Sequence, residues 1–202
     1  MAEQFITPQP RKFFAQRFAL WLSMCAMFMA FAGLTSAYIV RRAQPDWLEF
    51  NLPKAFIIST IVIFTSSITM TLANHAYKND MFHRFRMWLW LTFILGVAFF
   101  FLQLKGWNQL EEMKVFWSGI NSNPSASFLI VISGLHLAHI AGGLVFLAIA
   151  LYRATFVFND AADSAVKDII PTKGIRMDLL TPFWHFVDIL WLYLFVFFLI
   201  NK

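Results

Sequence analysis

Two ionisable side chains, His185 and Asp188, stand three residues apart inside the run Thr181 to Ile200, an otherwise apolar stretch about as long as a bilayer is thick. One helical turn places both on a single face. Within a membrane such a pair can do one of two things: pass a proton along, or lock helix register as a paired or protonated acid. An unpartnered carboxylate there costs several kcal/mol, so something must satisfy Asp188, and His185 is available in its own turn. No second membrane carboxylate supplies the next step of a relay, so the spacing favours the fixed pair.

His136 and His139 form the second cluster, three residues apart in the segment Ser133-Gly-Leu-His-Leu-Ala-His-Ile-Ala-Gly-Gly-Leu-Val145. Three membrane histidines raise the question of haem or metal. Bis-imidazole haem needs two rings at similar depth on facing helices. At 1.5 Å per residue, His139 falls roughly 18 Å from one end of its apolar run and His185 about 3 Å inside the same boundary. That mismatch is too large for one haem. His136 and His139 could share a mononuclear metal, but no third ligand lies at matching depth. Hydrogen-bonded structural histidines are the expectation.

The elements that must position these groups follow from composition. Hydrophobic residues make up 59% of the 202 and charged residues 13%, against roughly 25% charged in an ordinary soluble domain. Mean hydropathy is +0.64. Phenylalanine contributes 25 residues and tryptophan 8, an excess suited to lipid-facing surface and interfacial belts. Apolar runs over 18–40, 55–73, 87–104, 128–151 and 183–200 each approach the ~20 residues that a spanning helix needs. The expectation is an all-α integral membrane protein, five transmembrane helices in one bundle, with residues 1–202 forming a single membrane domain. The first run is too long for a signal h-region and lacks a small-residue cleavage tail, so it should be retained.

Ten lysines and arginines fall on the side of the N-terminus, the second loop and the fourth loop; six fall on the other. The positive-inside rule then places the N-terminus inside and the C-terminus outside. The formal charge of +5 suits anionic lipid rather than nucleic acid, because no basic, aromatic-interleaved domain is present. Cys25 is the sole cysteine, which rules out an internal disulfide, a Cys-x-x-Cys-His haem attachment and a two-thiolate copper site on this chain. Between the third and fourth runs, Trp107, Leu110, Met113, Phe116 and Trp117 recur at helical spacing and predict a short interfacial helix. Residues 159–178 form a mixed-charge loop with Pro171 and Gly174 as breakers.

Small residues suggest where helices meet. Gly134, Ala138 and Gly142 repeat every four residues and predict a close-packing face; Ala26, Ala30, Gly33 and Ala37 predict a second seam on the first span. His136 and His139 lie on a different arc of their helix from the first row.

Several of these segments resemble one family. Phe183-Trp-His-Phe-Val-Asp-Ile-Leu-Trp-Leu192 is similar to the Tyr-Trp-His-Phe-Val-Asp-Val-Val-Trp-Leu signature of subunit III of the haem-copper respiratory oxidases. The segment from Ser133 to Gly143 resembles that family's Thr-Gly-Phe-His-Gly-Leu-His stretch, and the likeness extends to Phe31-Ala-Gly-Leu-Thr-Ser-Ala-Tyr38 and Ser66-Ser-Ile-Thr69. Five spans look like the short bacterial form, without the first two helices of the seven-helix version. The chain departs from the family at Met27, where relatives commonly carry a glutamate, and at Gly106-Trp107, where a glutamate often precedes the aromatic residue.

The resemblance implies a multi-pass protein of the bacterial cytoplasmic (inner) membrane. It implies a non-catalytic subunit of a proton-pumping terminal oxidase that reduces oxygen to water, with cytochrome c or quinol as donor. It would stabilise subunit I by direct packing, assemble with subunit II and further small subunits, and enter a respiratory supercomplex. Phospholipid is then the expected bound molecule, with haem and copper on the partner subunits and none on this chain. His136, His139, His185 and Asp188 become structural or proton-path candidates, and Met27 lacks the carboxyl to which the family's proton-buffering role would be tied. Two alternatives stand beside it: a subunit III-like partner of a nitric oxide reductase, and a haem b anchor of a quinone oxidoreductase.

Overall fold

The computed structural model describes residues 9–45, 47–119, 123–157 and 176–201, and the side chains within them except those of 9–13 and 157. The regular structure of these residues is helical: α1 (Gln9–Arg42), α2 (Lys54–Lys78), α3 (Phe82–Glu112), α4 (Pro124–Tyr152) and α5 (Met177–Ile200). A π turn, Arg153–Val157, prolongs α4. Each of the five contains a stretch long and apolar enough to cross a membrane. The mixed-charge loop expected over 159–178 lies outside the described residues as far as 175, and its last two residues already belong to α5.

Every helix overruns its expected span. Apolar residues mark only the part that hydrocarbon would cover, whereas the hydrogen-bond ladder continues through polar ends. In α3 it runs through Lys105, Asn108 and Glu111, so the expected interfacial helix does not exist as a separate element. Trp107 and Leu110 belong to α3, and the chain turns at Met113 and Lys114.

The helix ends have a common device. After α2 the amide of Met81 reaches the carbonyl of Ala76 at 3.0 Å, with Asp80 at φ 56°. After α3 the amide of Val115 reaches Leu110 at 3.0 Å, with Lys114 at φ 58°. This six-to-one closure caps orphan carbonyls. The first of these turns is so short that α2 and α3 must lie antiparallel along their length. Hydrogen bonds cross that hairpin at three depths: Ala55 N to Gln109 Oε1 (3.3 Å), Gln103 Nε2 to Ser59 Oγ (2.9 Å) and Thr69 Oγ1 with Thr92 Oγ1 (2.8 Å).

Helix α4 packs on α3 and α5, and α5 packs on α1, α2 and α4; α1 touches only α4 and α5. Helices α1 and α5 run parallel, as Arg17 Nε pairs with Asp178 at one end (3.1 Å) and Tyr38 Oη donates to the carbonyl of Asn201 at the other (2.9 Å). The core has two clusters, one around Phe31, Phe99, Leu137 and Trp191, the other around Met70, Phe85, Leu147 and Trp184.

The small-residue rows lie elsewhere than expected. Ala138 and Gly142 are exposed, as are Ala26, Ala30, Gly33 and Ala37. A Cβ on Gly142 or Gly33 would meet nothing within 4 Å, and one on Gly134 would meet only the Trp107 ring, at 3.6 Å. Apart from Gly134 against Trp107, these positions face away from the described chain, because a four-residue repeat defines a face without saying which way the helix is turned. The tight glycines are Gly96, whose Cβ would stand 2.9 Å from both Leu144 and Trp184, Gly143, 3.1 Å from Phe183 and 3.3 Å from Trp184, and Gly106, 3.1 Å from the Phe56 ring.

Gly96→Val should therefore destabilise the solubilised protein by about 1–3 kcal/mol, the usual cost of overfilling a packed interior. Thermal unfolding in detergent measures it. Gly142→Ala should leave the midpoint unchanged; a reversed ranking would contradict the packing described.

Candidate functional site

The polar residues gather on the seam between α2 and α5. Trp184 Nε1 donates to Ser66 Oγ at 3.0 Å, and Trp191 Nε1 donates to Thr60 Oγ1 at 3.0 Å. The two tryptophans are two turns apart on α5, and their acceptors are almost as far apart on the antiparallel α2, so one register serves both. Next to the first of these bonds, His185 Nδ1 and Ser67 Oγ lie 2.7 Å apart, with Thr71 Oγ1 3.4 Å from His185 Nε2.

Asp188 projects into the same seam, 5% exposed, and neither carboxylate oxygen has a hydrogen-bond partner among the described residues. Ser67 lies beside it, but the Ser67 hydroxyl has hydrogen-bonding geometry with His185 and not with Asp188. The expected direct pair of His185 with Asp188 does not form. Helical side chains lean toward the N-terminus of their own helix, which carries the His185 ring away from Asp188 and onto α2.

His136 is wholly buried, and neither ring nitrogen has a partner among the described residues. Its ring lies 5.3 Å from Trp191, 6.0 Å from Phe99 and 6.4 Å from Phe31 between centroids, so side chains from α1, α3 and α5 enclose it. His139 is half-buried; its Nδ1 lies 2.7 Å from the carbonyl of Leu135, and its ring packs on Phe31 at 6.0 Å. The two histidines therefore share an aromatic neighbour. Because α5 starts at Met177, His185 lies about 12 Å along its helix, deeper than the sequence suggested. It still faces α2, while His136 and His139 face Phe31. No group of three His, Cys, Asp or Glu side chains converges among the described residues.

Sequence reading missed other polar contacts. Gln103, fully buried, donates to Ser59 and leaves its Oε1 without a partner among the described residues. Thr35 Oγ1 meets Tyr193 Oη at 2.8 Å across α1 and α5, and Trp107 Nε1 donates to Ser133 Oγ at 3.1 Å across α3 and α4. A glutamine inside an apolar run was the available signal for Gln103. Met27, where the family's acid would stand, is partly buried against the cluster that contains Phe31. At one end of α5, Asp178 accepts from Arg176 Nε at 2.9 Å as well as from Arg17, and Arg176 also reaches Gln16.

As chemistry, this arrangement offers hydroxyl and indole hydrogen bonds that hold helices, one imidazole in contact with two hydroxyls, and one enclosed carboxyl group. The chain matches the family profile described as Cytochrome c oxidase subunit III over residues 46–201. It is 30% identical to the probable cytochrome c oxidase subunit 3 of Nocardia farcinica, across 87% of this chain and 82% of that protein. It is 29% identical to cytochrome c oxidase subunit 3 of Alkalihalophilus pseudofirmus, across 83% and 74%, and 26% identical to that of Bacillus subtilis, across 87% and 81%.

If the indole bond fastens α5 to α2, Trp184→Phe and Ser66→Ala should each destabilise the bundle, and the double variant should fall short of their sum. The expected coupling is about 0.5–1.5 kcal/mol, the range for hydrogen bonds between membrane helices. Unfolding titrations in mixed micelles measure it, and strict additivity would mean the contact contributes nothing.

Proposed function

The chain belongs to the cytochrome c oxidase subunit III family, and from that premise we propose how it serves a haem-copper oxidase in the bacterial cytoplasmic membrane. It acts as the non-catalytic subunit of that enzyme. It packs directly on subunit I, assembles with subunit II and small subunits, retains phospholipid, and supports proton uptake. Haem and copper reside on those partners, and cytochrome c rather than quinol is the donor. The relatives do not favour a nitric oxide reductase partner or a haem b anchor.

The observation that carries this reading is the family match over residues 46–201, most of the chain. Three features support it. The buried polar side chains are mostly engaged between helices of this chain, as in the bonds of Trp184, Trp191, Gln103 and Thr69. His136 sits among the rings of Phe31, Phe99 and Trp191, which hold it between helices. Helix α1 leaves Phe18, Trp21, Phe28, Met29 and Val40 exposed along much of its length, the kind of apolar surface that lipid and a membrane partner cover. On this reading the five helices form one membrane domain, N-terminus inside and C-terminus outside, as the distribution of lysine and arginine favours. His136, His139, His185 and Asp188 act as structural or proton-path groups, without redox chemistry.

A tagged chain should copurify with subunits that carry haem and copper. His185→Ala or Asp188→Ala should lower recovery of the complex several-fold and hasten inactivation during turnover, leaving the haem absorption spectrum of the recovered enzyme unchanged. Stoichiometric haem or metal on the isolated chain would overturn the proposal, and so would its failure to copurify with an oxidase.

A further inference from the structure

Two polar stripes face each other across the α2 and α5 seam, and both run in from the end of the bundle where α5 begins. On α2 the stripe is Lys78, Asn74, Thr71 and Ser67; on α5 it is Asp178, Thr181, His185 and Asp188. Within each, successive members are three or four residues apart, which keeps them on one helix face. The bonds of Trp184 to Ser66, His185 to Ser67 and Trp191 to Thr60 fix the antiparallel register, so the stripes are matched in depth.

The stripes have an open end and a closed end. Thr71 is exposed and Thr181 is buried with no partner for its hydroxyl among the described residues. His185 touches Thr71 and Ser67, and Ser67 lies beside Asp188. Beyond Asp188 the seam is closed by Ile63 and Trp191, both almost wholly buried, with the Trp191 indole N–H taken by Thr60. The enclosed carboxyl with two unpartnered oxygens is therefore the terminus of the stripe.

We propose that Asp188 is a proton-binding site served from the α5 N-terminal end of the bundle through the His185 imidazole and the Ser67 hydroxyl. In the inward step, the imidazole takes a proton from water at Nε2 and releases its Nδ1 proton to Ser67 Oγ. The hydroxyl then turns from His185 to the neighbouring Asp188 and passes its own proton to a carboxylate oxygen. Only O–H and N–H bonds form and break, no electron moves, and the reverse order returns the proton. The charged and titratable groups at the mouth are His75 and Lys78 on α2, Asp80 in the turn that follows it, Arg176 and Asp178 at the start of α5, and Arg17 on α1. Helix α3, packed on α2, contributes His83, Arg84 and Arg86 at its start. Helix α4 brings His139, whose ring packs on Phe31, and His136, whose ring packs on Trp191 at 5.3 Å, beyond the closed end of the seam. His185 is thus the titratable group in line with Asp188.

The inference deepens the proton-path role proposed above for His185 and Asp188 but does not depend on which partners surround the bundle, so its tests use no turnover measurement. In the assembled complex, infrared difference spectra of wild type and Asp188→Asn assign the carboxyl C=O band, which is then followed after transfer into D2O. The band should shift on exchange, and His185→Phe or Ser67→Ala should each slow that shift about tenfold, the rate equivalent of roughly one lost hydrogen bond in the relay. Absence of an Asp188 band, or equal exchange rates in all variants, would overturn the proposal.

A second arm does not depend on replacing Asp188. In a Cys25→Ser background, Thr181→Cys and Leu180→Cys place thiols at neighbouring positions of similar exposure, 8% and 7%. A membrane-impermeant methanethiosulfonate reagent should label Thr181→Cys at least about tenfold faster, because only that position lies on the stripe where ionised thiolate is solvated. Equal labelling would sink the idea even if the spectra proved unreadable.

Discussion

The bundle depends on the seating of one side chain. Trp184, wholly buried, enters a slot between Gly96 on α3 and Gly143 on α4, and its indole N–H reaches Ser66 on α2. Four helices therefore meet on one residue. In lipid, apolar helices gain little by hiding from their surroundings, so close contact and interhelical hydrogen bonds must hold them. A large flat ring against two bare backbones supplies the contact. Its single donor would be costly if left unpaired, which fixes the rotation of α5 on α2.

The same logic repeats one layer away. Trp191 donates to Thr60 and packs against both Phe99 and His136, while Phe31 brings α1 onto that cluster. Helix α1 is tied less deeply than the others. Among the described residues it packs on neither α2 nor α3, and Arg17 with Asp178, Thr35 with Tyr193 and Tyr38 with Asn201 tie it to α5 and its C-terminal cap. Those links keep α1 beside the bundle and leave most of its circumference free for lipid or a partner, which suits a subunit that works in a larger assembly.

The membership of the family and the chemistry of the seam bear on each other at two positions. Met27 puts a thioether, with no carboxyl, against the cluster that contains Phe31. Asp188 is then the enclosed acid of the spans, and its neighbourhood on α2 is made of hydroxyls rather than charges. Hydroxyls satisfy either protonation state of a neighbour, because each can donate or accept. A fixed cation would have locked the carboxylate in one form.

The amino-acid sequence by itself determined five helices and their approximate spans, because bilayer thickness converts apolar run length directly into a spanning element. It also carried the family, through the runs Phe183 to Leu192 and Ser133 to Gly143. Tertiary structure alone decided who touches whom. The rows Gly134, Ala138, Gly142 and Ala26, Ala30, Gly33, Ala37 were legible as faces, but all except Gly134 turned outward, while Gly96 and Gly143, in no such row, took the tryptophan. His185 and Asp188 were legible as neighbours, yet the ring went to Ser67. The reason is geometric: spacing along one helix fixes angles about its own axis, and the rotation, depth and tilt of its neighbours appear only when all the side chains are packed together.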